Sequence, residues 1–133
     1  MPSTSKPRKQ YRRREINRPM TAPAHRRLAL EIRLAVETLA AAPSVESYNT
    51  VSKMLAALTR AGLKCEALDR ANAVMDVVVE RYSRVNKVDL KDDEAAALRK
   101  AIAAIDGRMA TIPVNRIAEA VASVEVFCAS VGA

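Results

Sequence analysis

Between Thr21 and Ser130 apolar residues return every three or four positions, and turn chemistry interrupts them at only a few points. A period near 3.6 buries one face of a helix, whereas a half-buried strand needs strict alternation. Thr21 suits an N-cap, Pro23 is tolerated in a first turn, and Leu28, Ile32, Ala35 and Leu39 follow at helical spacing. Pro43 stops that helix. Ser44 is expected to cap a second, with Tyr48, Val51, Leu55 and Leu58 as its inward stripe, and Gly62 to close it in a left-handed conformation. A third helix runs from about Cys65 to Val85, its stripe formed by Leu68, Ala71, Met75, Val78 or Val79, Tyr82 and Val85. The run Val77-Val78-Val79 would suit a strand alone, but it sits inside a long helical period. Asp89 is predicted to cap a fourth helix, with Asp92, Asp93 and Glu94 in its first turn. Leu98, Ile102, Ile105 and Met109 line that helix, and Gly107 weakens its last turn. Pro113 opens a fifth, which ends near Ser130.

Composition supports the pattern. The 133 residues include only three Gly, one Phe and no Trp, so Ala, Val, Leu and Ile must supply nearly all the core. Alanine costs least in a helix and glycine about 1 kcal/mol more. Short connections place successive helices antiparallel, which predicts an all-α, up-down bundle of about five helices, each roughly 25 to 33 Å long. The predicted division is a disordered basic arm at residues 1–20 and a helical domain at 21–133. The fifth helix is apolar nearly all round, through Val114, Ile117, Val121, Val124, Val126, Phe127 and Val131. Such a helix is either central or covered by another subunit. In so small a domain the second alternative is favoured, and a homo-oligomer is expected.

Charge is unevenly spread. Residues 1–27 hold nine basic side chains and one acid, a balance of +8, while the rest of the chain holds thirteen basic and fourteen acidic residues, a balance of −1. A nearly neutral body with a basic tail points to an anionic partner. The charged, polar opening contains no apolar run of a secretory signal, and the most apolar stretch, 114–131, carries Arg116, Glu119 and Glu125. Neither export nor a membrane is expected.

Catalytic and metal chemistry find little support. His25 is the only histidine and has no Cys, Asp or Glu at ligand or triad spacing, so a solvated side chain is expected. Asp89, Asp92, Asp93 and Glu94 could hold a divalent ion, but acids in a first turn are explained by capping and the helix dipole. Cys65 lacks a histidine base, and Cys65 and Cys128 are expected to be free thiols. Three glycines cannot build a phosphate loop. A non-enzymatic protein without cofactor or metal is the expectation. A helix-turn-helix pivoting on Gly62 fails as well. Leu58 would sit where a small residue is needed, and the recognition helix would carry Glu66, Asp69 and Asp76 against Arg70 alone.

The arm is the remaining candidate. Residues 6–18, KPRKQYRRREINR, hold seven basic residues in thirteen positions with Tyr11 among them. Arginine-rich segments of this type bind phosphate backbones and can fold on binding RNA or DNA. Lys6, Arg8, Lys9, Arg12, Arg13, Arg14 and Arg18 would carry binding, with Arg26 and Arg27 continuing the patch onto the first helix. An acidic host protein is the alternative partner, and the body is then a protein-interaction module such as an inhibitor or regulator of a host complex.

The RRRE core at residues 12–15 resembles the arginine-rich RNA-binding peptides of phage antitermination proteins. The YRRR opening at residues 11–14, followed by an Ala-rich helical body, resembles small uncharacterised proteins of temperate phages and prophages of proteobacteria. That resemblance implies a bacterial cytoplasmic setting and a regulator, nucleic-acid accessory protein or inhibitor of host complexes. It assigns no functional residue.

Overall fold

A computed structural model describes residues 16–131 of the chain. Five helices follow one another: α1 (Ala22–Ala41), α2 (Val45–Arg60), α3 (Glu66–Val85), α4 (Asp92–Met109) and α5 (Val114–Val131). No strand occurs among the described residues. The fold is the all-α up-down bundle that the spacing predicts.

The helix ends follow local chemistry. The Thr21 hydroxyl accepts from the Ala24 N–H at 3.3 Å, with Pro23 in the first turn of α1. At the start of α2 the Ser47 N–H donates to the Ser44 hydroxyl at 3.0 Å, and the Ser44 N–H donates to the Ser47 hydroxyl at 2.9 Å. Each serine thus satisfies a backbone donor of the other. Gly62 closes α2 at φ +100°, while the Leu63 and Gly62 N–H groups donate back to the Leu58 and Thr59 carbonyls, both at 3.1 Å. That arrangement consumes two otherwise unpaired carbonyls and turns Leu63 into the core. Asn86, the only described non-glycine residue with positive φ, closes α3 in the left-handed region.

The start of α4 differs from expectation. Its N-cap is Lys91 rather than Asp89, and the Glu94 carboxylate reaches back to accept the Lys91 N–H at 2.9 Å. Asp89 is held outside the helix because its carbonyl accepts from Arg81 of α3 at 3.1 Å. Asp92, Asp93 and Glu94 do form the first turn.

Helices α1 to α4 close a ring in which α1 packs on α2 and α4, and α3 packs on the same two. Ile32, Leu39, Val51, Leu55, Leu98, Ile105 and Met109 fill its centre. In the valine run one residue, Val78, is buried, and Val77 and Val79 are exposed, as a 100° step per residue requires. Val85, expected on the inward stripe, is the last residue of α3 and is exposed.

Helix α5 lies outside this ring and makes its main contact with α2. Ala120 and Val124 are buried there, whereas Val121, Val126, Phe127 and Val131 face outward. Of the two places open to a helix apolar all round, the central one is already filled by the side chains of α1 to α4.

The two glycines of the helical region should respond oppositely to alanine. A Cβ at Gly107 meets nothing within 4 Å, whereas Gly62 has a backbone conformation that side chains resist. Gly107→Ala should raise stability by about 0.5–1 kcal/mol and Gly62→Ala should lower it, both measurable by urea denaturation.

Candidate functional site

Sequence order does not suggest it, but one end of the bundle collects four separate segments. The start of α1 meets the end of α4 there. The His25 Nε2–H donates to the Asp106 carboxylate at 2.7 Å and to its carbonyl at 2.9 Å, and Arg33 reaches the other carboxylate oxygen at 2.5 Å. His25 is therefore a half-buried clasp between helices and not the solvated side chain expected. The α2–α3 connection and the α4–α5 turn are pegged into the core at the same end by Leu63 and Ile112.

The extended segment 16–20 lies against the first turn of α5. The Val114 N–H donates to the Arg18 carbonyl at 2.8 Å, and the Arg18 N–H donates to the Asn115 side-chain oxygen at 2.7 Å. The Arg18 carbonyl thereby satisfies one of the unpaired donors of a helix N-terminus. Residues 16–20, assigned to the arm by sequence, thus include a hydrogen-bonded root.

Lys6, Arg8, Lys9, Arg12, Arg13 and Arg14 lie outside the described residues, as does most of the predicted arm. Arg18 sits in the root, and Arg26 and Arg27 are exposed on the first turns of α1. Beside them the structure brings together residues that sequence reasoning missed. Two adjoining depressions share Arg116; one is lined also by Arg60, Glu119, Ala120 and Ser123, the other by residues including Gly62, Lys64, Arg108 and Pro113. Arg60 donates to the Ser123 hydroxyl and lies over the Phe127 ring, 5.9 Å from its centroid.

These cations differ from the other arginines of the body. Arg33, Arg70, Arg81, Arg84 and Arg99 each hold a carboxylate. Arg18, Arg26, Arg27, Arg60, Lys64, Arg108 and Arg116 make no salt bridge with a described carboxylate. The opposite end is acidic, with Glu46 at the start of α2 and Asp92, Asp93 and Glu94 at the start of α4. Arg81, Arg84, Lys87 and Lys91 stand at that end too, so carboxylates outnumber cations there without excluding them.

Elsewhere the polar groups serve the fold. Burial pushes the Glu94 carboxyl up, but the Arg81 hydrogen bonds, the Lys91 N–H and both positive charges outweigh it and hold Glu94 below the usual carboxylate range. The Glu37 carboxyl is likewise lowered, chiefly by its hydrogen bonds from Arg99 at 2.7 and 2.8 Å. Tyr48 donates to the Met75 carbonyl at 3.3 Å, and burial raises its pKa. Among the described residues no group of three or more His, Cys, Asp or Glu could hold a metal ion, and Cys65 and Cys128 are free, half-buried thiols. No helix of the described residues is long and apolar enough to cross a membrane. No family model matches this chain, and neither a curated protein nor a solved structure does.

A lowered Glu94 makes stability acid-sensitive. Its contribution is complete above the unfolded carboxyl value of about 4.3 and is lost as pH falls through the lower folded value. Exposed Glu37 adds less, since solvent screens it. Thermal melts should show Glu94→Gln less stable than the unaltered protein at neutral pH, with the gap closing below about pH 4.

Proposed function

We propose that this protein is a non-enzymatic nucleic-acid-binding protein that grips the phosphate backbone through its basic N-terminal arm, Lys6 to Arg18, extended by Arg26 and Arg27. The observation that carries this reading is the anchoring of Arg18 at the first turn of α5. The root of the arm, residues 16–20, therefore lies at the same end at which Arg26, Arg27, Arg60, Lys64, Arg108 and Arg116 gather. A root placed among like charges favours an anionic partner at that end, since most of the body's acids are already paired or lie at the far end.

Phosphate contacts release counterions, so binding should weaken steeply with salt and show little sequence preference. Replacing Arg12, Arg13 and Arg14 by Ala should weaken binding to unrelated sequences by similar factors and reduce the log–log salt slope by about 3. Fluorescence anisotropy across a salt series checks both. Absence of binding at low salt by the unaltered protein would remove this reading.

A second reading is favoured by one feature, the outward face of α5 with Val121, Val126, Phe127 and Val131. In that reading the chain is a protein-interaction module whose α5 is covered by a partner or a second copy. If the face joins two copies, sedimentation equilibrium should show an oligomer that Val126→Asp with Phe127→Asp converts to a monomer of unchanged helicity. A monomer at high protein concentration before any substitution would exclude self-association.

A further inference from the structure

We infer that the groove formed by Arg60, Lys64, Arg108 and Arg116 is a second phosphate-binding site, on the body itself, and that its ligand is the backbone of a double-helical nucleic acid. The inference deepens the reading of the arm as a backbone-binding element and rests on it.

Three observations converge on the groove. The first is its charge: four cations against one lining carboxylate, Glu119, in two depressions that meet at Arg116. Arg33, Arg70, Arg81, Arg84 and Arg99 each hold a carboxylate, even at exposed positions such as Arg70–Glu66 and Arg84–Glu80. Lys64, Arg108 and Arg116 have no such partner among the described residues. Like charges that line one groove and outnumber its carboxylate repel, at a cost that a bound polyanion would relieve.

The second is rigidity. Lys64 follows the hydrogen-bonded closure of α2 at Gly62 and Leu63, and Arg108 and Arg116 flank a turn whose Thr111 and Ile112 N–H groups donate to the Arg108 and Met109 carbonyls at 3.1 Å. The backbones that carry these cations are fixed, so less is lost in ordering them on a ligand. Continuity with the arm adds to this, because Arg18 is bonded to Val114 and Asn115, directly before Arg116.

The third is the absence of an aromatic platform. Among the described residues no Phe, Tyr or Trp lines either depression, and the nearby Phe127 ring has the Arg60 guanidinium over it. Single-strand binders stack bases on exposed rings. A groove of cations without rings reads phosphates, and a duplex presents those as a dense, fixed array with its bases already stacked.

The test uses the full chain and labelled short duplexes of DNA and of RNA, with the matching single strands. Lys64→Ala, Arg108→Ala and Arg116→Ala together should weaken duplex binding about tenfold or more and reduce the salt slope by about 2–3. Arg108→Lys with Arg116→Lys should retain most of the affinity. Lys87→Ala with Lys91→Ala, at the far end, should leave it unchanged. Whether DNA or RNA binds more tightly identifies the source of the backbone. Unchanged affinity and slope in the triple variant, while the Arg12–Arg14 variant still loses binding, would overturn the groove and leave the arm standing. Equal weakening by the far-end pair, or tighter binding of single strands than of duplexes, would also overturn it. Failure of the unaltered protein to bind any probe would remove both readings.

Discussion

The hydrogen bonds between Arg18 and the first turn of α5 fix the root of the arm, residues 16–20, at one end of the body. A helix N-terminus presents unpaired N–H groups, and here the Arg18 carbonyl and the Asn115 side chain fasten an otherwise unremarkable extended segment to it. Because α1 starts only a few residues later, its first turn is obliged to lie at the same end. The His25–Asp106 clasp then ties that turn to the end of α4. Antiparallel packing with short connections does the rest, bringing the α2–α3 connection and the α4–α5 turn to the end that holds this root.

The same topology leaves the other end acidic. Carboxylates gather at the start of α4, where the helix dipole and the Lys91 N–H favour them, and Arg81 secures the one that is partly buried. The two ends thus have different economies. At one, the Arg81–Glu94 pair ties α3 to α4; at the other, Arg60, Lys64, Arg108 and Arg116 make no salt bridge with a described carboxylate. That asymmetry separates the residues that hold the fold from those available to an anionic ligand.

Much of the fold was legible in the sequence, because helix boundaries depend on local chemistry. Thr21, Pro43, Ser44 and Gly62 act through their own backbones and neighbours, and each does what its residue type predicts. Asp89 was misread because the competing contact, from Arg81, comes from a different helix. His25 was misread for the same reason: its partner is 81 residues away. For α5 the sequence favoured an outer place over a central one, but periodicity shows which residues are apolar and not that α2 is the helix they pack on. The groove is the sharpest case. Arg60 and Arg108 each have an adequate local explanation in the last turn of a helix, where a cation suits the dipole. Only the convergence of the helix ends turns them, with Lys64 and Arg116, into one surface.

The central claim is that a single end of the bundle meets the anionic partner. Amide chemical-shift mapping by NMR, titrating the full chain with a short duplex, tests it most directly. The account predicts perturbations confined to residues 6–27, 60–65 and 107–119, with the α3–α4 connection at 86–91 and the start of α2 unmoved. Perturbations centred on the outer face of α5 at residues 121–131, or spread evenly over both ends, would contradict it.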